Sequence, residues 1–238
     1  MLTKFKSFAL RIMPAYAYVP TALAILFNFI AYYLTKLIMV NATHYDLSIF
    51  VDDLIPFTPW FISFYILAYL QWGLNYIIHS HIGREPFYHI ATADVIAKIL
   101  CTVLFIVIPT EIVRPEVVGD GIWDHLTRFI YALDTPRNLF PSLHCLESWV
   151  AFRAALMMKN APRWYAPAQL FMSVMVFASV VFVKQHFFID IFAGILVVEI
   201  GWFLSRRFRL WRVMEKIELP PVRRERMCAA CMSETKET

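Results

Sequence analysis

Charge is the first thing this chain is short of. Only 17% of its 238 residues are Asp, Glu, Lys or Arg while 60% are hydrophobic, and the mean hydropathy is +0.58. A soluble domain runs at ~45–50% apolar and ~25% charged, so the composition excludes an ordinary soluble domain and points to the membrane. Cysteine is scarce as well. Cys101 and Cys145 fall in apolar segments, and Cys228 and Cys231 form a lone CxxC in a charged tail. That excludes a disulfide framework and, with no second pair nearby, a four-ligand zinc site. Internal repeats, low-complexity stretches and compositional breaks are missing too, and with them the duplicated halves of many transporters. What remains is an all-α membrane bundle over residues 1–210 with a basic cytoplasmic tail over 211–238.

What the chain has in quantity is long apolar runs. A bilayer core needs roughly 20 mostly apolar residues per helix. Six segments meet or approach that: about 18–39, 57–78, 90–109, 143–159, 165–184 and 187–206. The basic N-terminus resembles a signal peptide, but the apolar run after it is too long for one and reads as a retained first span. Lysine and arginine gather at the N-terminus, the 79–89 and 159–164 loops and the tail, whereas the opposite flanks carry Asp46, Asp52, Asp53, Glu111, Glu116, Asp120, Asp124 and Asp134. The positive-inside rule then places both termini in the cytoplasm. The tail arginines read as an anchor on anionic membrane lipids, not as a nucleic-acid site.

With that topology three polar clusters meet on the extracytoplasmic face: TEIVRPE (Thr110–Glu116), RNLFPSLH (Arg137–His144) and VFVKQHFFID (Val181–Asp190). Each suits phosphate. Arg114 offers a planar fork for oxygens. Ser142 sits as an N-cap, aiming amide N–H groups and the helix dipole at an anion. His186 and Asp190 are four apart on one helix face, so the carboxylate can take one ring N–H and leave the other nitrogen free to attack. His144 then faces His186 as a second imidazole, able to protonate a leaving group. Singly, each residue reads as an ordinary interfacial side chain; together they form a site.

These motifs resemble the type-2 phosphatidic acid phosphatase superfamily of lipid phosphate phosphatases and phosphotransferases. Its signature is Lys, six residues, Arg-Pro; then Pro-Ser-Gly-His; then Ser-Arg, five residues, His, three residues, Asp. Arg114-Pro115, Pro141-Ser142-Leu143-His144, and Ser179, His186 and Asp190 match in order and spacing. The resemblance implies His186 as a nucleophile forming a phosphohistidine, Asp190 as its orienter, His144 as acid and base, and Arg114 and Ser142 on the phosphate oxygens, with no metal or other cofactor. It implies a lipid phosphate or pyrophosphate substrate at the outer leaflet of the plasma membrane. Val107, Leu143 and Val180 stand where the signature has Lys, Gly and Arg. Arg137 and Lys184 lie close enough in sequence to replace the two lost cations. The Phe-Pro-Ser-Leu-His form is similar to the inositol-phosphorylceramide-synthase branch, whose members pass the phosphoryl group to an alcohol. The expectation is therefore a hydrolase, with head-group phosphotransfer as the alternative.

Other features have plainer readings. Arg153 and Glu199 lie nine residues beyond His144 and Asp190, at matching depth, and read as a structural ion pair or as two separately satisfied groups. Asp94 and Lys98 form an i,i+4 pair. Glu147 either tunes His144 or bonds a neighbouring helix, and Asp52 and Asp53 read as solvated. Two rivals stay open: a metal site on His144, His186 and Asp190, and a catalytically silent lipid-binding relative.

Overall fold

The structure, a computed structural model, describes residues 12–220, 222 and 223. The N-terminal basic residues Lys4, Lys6 and Arg11, most of the tail and its CxxC lie outside them. Among the described residues nine helices follow in order: α1 Ala15–Ile38, α3 Pro59–Ser80, α4 Arg84–Val107, α7 Tyr165–Phe182 and α8 Phe188–Arg207 are the long ones. The short ones are α2 Phe50–Leu54, α5 Ile122–Leu133, α6 Leu143–Ala155 and α9 Arg212–Lys216. The described chain is helical with no strand; its β pairing is two isolated bridges, Tyr45 with Thr110 and Glu111 with Arg137.

Five helices, the long ones just named, are long and apolar enough to cross a membrane. The sixth expected span, 143–159, is shorter than its apolar run. Helix α6 stops at Ala155, where turns through Asn160 and Pro162 take over. Thirteen residues rise only about 20 Å, less than a hydrocarbon core of about 30 Å. Helix α6 is also wrapped by α3, α4, α7 and α8, and ten of its thirteen residues are buried. A helix that meets protein instead of lipid has no need of an apolar surface, which explains its buried Glu147 and Ser148.

The tightest packing is α4 against α8. A Cβ on Gly201 would lie 2.3 Å from the Ala93 carbonyl oxygen, so the two backbones touch through small residues, as interhelical contacts in membranes favour. Gly201→Ala is expected to cost about 1–3 kcal/mol by forcing these helices apart, read as a lower Tm in detergent. Near the other end Gly194 plays the same part: a Cβ there would meet the Ser142 carbonyl at 2.9 Å. That close approach sets the start of α6 against the first turns of α8, where Ser142 N–H donates to the Asp190 carbonyl at 3.3 Å.

Lys98 reaches Asp94 at 2.9 Å and Glu147 at 2.6 Å with all three side chains almost wholly buried. It also donates to the Tyr76 hydroxyl and the Ala24 carbonyl, each at 3.0 Å. Glu147 is thus a partner of Lys98 and Tyr76, a bond to neighbouring helices and not a contact of His144. Arg153 pairs with Glu199 at 3.1 Å and lies over the Trp202 ring.

Candidate functional site

Three loops are laced together at the end of the bundle where α4, α6 and α8 present their motif residues. The buried Thr110 hydroxyl accepts the Leu139 and Phe140 amides at 2.7 and 3.2 Å, and its carbonyl accepts the Asn138 amide at 2.9 Å. Ile112 N–H reaches the Pro136 carbonyl at 3.1 Å, and Tyr45 exchanges hydrogen bonds with Pro109 and Glu111. Asn138 turns the chain at φ 58°, a left-handed conformation that Asn tolerates. This lacing fixes the Leu139 carbonyl against His186.

His186 Nδ1 lies 3.0 Å from the Leu139 carbonyl oxygen and 3.2 Å from Asp190 Oδ2. Both neighbours accept, so Nδ1 donates to them, and in the neutral ring Nε2 carries the lone pair. Asp190 Oδ2 also accepts the Phe187 amide at 3.0 Å, holding the carboxylate at the N-terminus of α8. The Phe188 amide is capped from a distance by Asp52 Oδ1 at 2.7 Å. Asp52, read from sequence as solvated, is therefore part of the scaffold under His186.

His144, in the first turn of α6, stacks on Tyr65 with ring centroids 4.0 Å apart. Its Nε2 meets the Tyr69 hydroxyl at 3.2 Å. The two imidazole centroids are 6.0 Å apart. Both rings line one cavity of about 460 Å³, walled by Tyr32, Tyr33, Tyr69, Trp72 and Phe105 and closed by Ile130 and Leu133 of α5. A 460 Å³ cavity is within the range of small-molecule sites. Ser142 caps α6 as expected, accepting the Cys145 amide at 3.3 Å, but it is wholly buried and does not line the cavity. Among the described residues no group of three His, Cys, Asp or Glu side chains is placed to hold a metal ion.

The expected phosphate cations separate. Arg137 lines the cavity, 3.5 Å from Glu111. Arg114 does not: its guanidinium donates to the Asp134 carbonyl at 2.6 Å, to the Tyr131 carbonyl at 3.4 Å and to Gln185 Oε1, stacked 4.6 Å from the Tyr131 ring. It ties the 110–142 segment to the α7–α8 link. Lys184 is spent as well, on the Asp52 and Ile55 carbonyls at 2.8 and 2.6 Å. The reason is local. Lys184 takes the left-handed position after α7, at φ 50°, with Gln185 N–H on Val180 O and Lys184 N–H on Val181 O. That is a Schellman stop, and it aims the lysine at the α2 loop. Neither residue supplies the charge lost at Val107 and Val180. Val107 is exposed and Val180 is wholly buried.

Sequence reasoning missed Asp134, Lys36 and the aromatic wall. Asp134 follows α5, lines the cavity, and accepts on Oδ1 from Lys36 at 2.7 Å and from the Tyr32 hydroxyl. Burial pushes its carboxyl up, but Lys36, Tyr32 and Arg114 together hold it below the ordinary carboxylate range. Helix α5 lies between the expected spans 90–109 and 143–159. Its signals were Gly121 followed at the third helical position by Asp124, whose Oδ2 accepts the Gly121 amide at 3.0 Å, and apolar residues at Ile122, Leu126, Phe129, Ile130 and Leu133.

No family model, curated protein or solved structure matches the chain.

Proposed function

We propose that this protein is a multi-pass membrane enzyme of the type-2 phosphatidic acid phosphatase kind, transferring the phosphoryl group of a lipid phosphate ester through a phosphohistidine at His186. The observation that carries the reading is the His186 ring: Nδ1 is fixed between the Leu139 carbonyl and Asp190, and the ring opens on a cavity shared with His144. Nε2 attacks phosphorus, and Asp190 holds the tautomer and stabilises the ring as it gains positive charge. His144 gives its proton to the departing oxygen and takes one from the water or alcohol that resolves the intermediate. The amides at the start of α6 and Arg137 face the developing charge.

In the membrane, α6 completes a bundle of six helices with both termini on the basic, cytoplasmic face and the histidines toward the outer leaflet of the plasma membrane. Hydrolysis and transfer to an alcohol share every step up to the intermediate and differ only in the acceptor.

The experiment is turnover of a lipid panel by purified protein in detergent with EDTA present. Diacylglycerol or phosphate release that is unchanged by the chelator is expected. Release that stops in EDTA and returns with a divalent cation would replace this reading with the metalloenzyme.

A further inference from the structure

The end of the bundle opposite the histidines carries a second concave site. Helix α8 starts beside His186 and runs for 20 residues, about 30 Å, so its last turn stands roughly one bilayer core away. Beside that turn lies a groove of about 620 Å³ between α6 and α8. Its inner end holds Trp202 and the Arg153–Glu199 pair. Glu199 meets Arg153 at 3.1 Å and accepts the Trp149 indole N–H at 2.7 Å, so this end is neutral and held in place. The outer end is not neutral. Arg206, Arg207 and Arg209 line it, all three exposed. Among the described residues none of the three makes an ion pair.

Arg209 reaches the groove because of the way α8 stops. It takes the left-handed position after the helix, at φ 52°. Leu210 N–H donates to the Ser205 carbonyl at 3.1 Å, and Arg209 N–H to the Arg206 carbonyl at 3.4 Å. That is a Schellman stop, a place where glycine is usual. The chain turns back there, and a third guanidinium joins the two from the last turn of α8. Guanidinium forks match phosphate oxygens, and three without a countercharge match a head group with more than one negative charge. Inward from them α8 exposes Phe203, Ile200, Leu196 and Phe192, three or four residues apart and so on one stripe of the helix. An amphiphile laid on this face has its anionic head at the arginines and an acyl chain on the stripe, which a soluble anion would leave unused.

We propose that this groove binds an anionic phospholipid of the cytoplasmic leaflet, with a phosphomonoester head group held by Arg206, Arg207 and Arg209 and an acyl chain along the stripe from Phe203 to Phe192. Basic pockets between membrane helices on that side suit such head groups. A phosphomonoester carries about −1.5 to −2 charges near neutral pH, which the three arginines balance, whereas a zwitterionic head group brings an ammonium into the same positive field. The site differs from the anchoring attraction of a basic tail, which needs neither a groove nor a fixed stoichiometry. It is separate from the histidine cavity and does not depend on the phosphohistidine reading.

The test is native mass spectrometry of the full chain in detergent, with His186→Ala carried in every sample so that no lipid is consumed. Any lipid in the histidine cavity is then common to all samples, and differences between variants read the groove alone. Phosphatidic acid is expected to be retained at least about tenfold more tightly than phosphatidylcholine, and about fivefold more tightly than phosphatidylglycerol. Arg206→Gln with Arg209→Gln should weaken that retention at least about tenfold. Arg212→Gln with Lys216→Gln removes the same charge at the same end of the chain but outside the groove, and should change it by less than about twofold. Each variant is checked for an unchanged helical spectrum and Tm. Equal losses from the two double variants would overturn the groove and leave only an anchoring tail. Equal retention of all three lipids would overturn recognition by charge, and equal retention of the two anionic ones would overturn the phosphomonoester head group. Bound phosphatidic acid is expected to resist inorganic phosphate; displacement by it would reassign the arginines to a soluble anion and overturn the lipid site.

Discussion

His186→Ala is expected to lower lipid turnover by at least about 10³-fold, because removal of a nucleophile leaves only binding and electrostatic stabilisation. The comparison with Asp190→Asn makes the result specific. In that variant the imidazole keeps its place beside the Leu139 carbonyl, 3.0 Å from Nδ1, but loses the carboxylate that selects the tautomer and supports the charged ring. A loss of about 10²- to 10⁴-fold in kcat is expected, by the precedent of an orienting aspartate in a catalytic triad. Steady-state kinetics on one lipid with both variants, each checked for a retained helical spectrum, measures this. An active His186→Ala would move the nucleophile elsewhere; a fully active Asp190→Asn would leave the carboxylate as scaffold, serving only the Phe187 amide at 3.0 Å.

The second large effect falls on stability. Lys98 is, among the described residues, the cation that pairs with two buried carboxylates, Asp94 and Glu147. Lys98→Met leaves both acids facing each other without a countercharge. Breaking a buried ion pair from one side costs about 3–5 kcal/mol, which for a chain of this size lowers Tm by about 10 °C. The cost belongs to the stranded acids and not to the lost lysine. Adding Asp94→Asn and Glu147→Gln to Lys98→Met should therefore recover most of the loss. Thermal unfolding in detergent, followed by labelling of the buried thiols of Cys101 and Cys145, separates the variants. A Lys98→Met protein as stable as the wild type would mean that the acids stay neutral in the folded bundle.

Much of the bundle was legible because lipid imposes a simple rule. Where a helix faces hydrocarbon its run of apolar residues is long, and α1, α3, α4, α7 and α8 fall on five of the six expected segments. The rule fails where a helix is screened by its neighbours. Helix α6 carries Glu147 inside the bundle and is shorter than its hydropathy suggests, and α4 begins at Arg84, ahead of the expected 90, because its first turn is polar. Of the site, the spacing of His186 and Asp190 on one helix face and the capping role of Ser142 followed from helical geometry. The fate of Arg114 and Lys184 did not, since it depends on which carbonyls three irregular loops bring within reach. A lysine in the left-handed position after α7, where glycine is usual, leaves no mark in composition or periodicity. Asp134 and Asn138 were hidden for the same reason: they line the cavity by virtue of loop lacing around Thr110, a contact between segments about thirty residues apart.

The most direct measurement is chemical. Wild-type protein, without added acceptor alcohol, is mixed with phospholipid labelled with ³²P in its phosphate, quenched early in alkali and digested. Label that survives alkali, is lost in acid, and maps to the peptide containing His186 is the expected result. Wild-type turnover with no label on His186 under these conditions, or label on another residue, would contradict a phosphohistidine at this site.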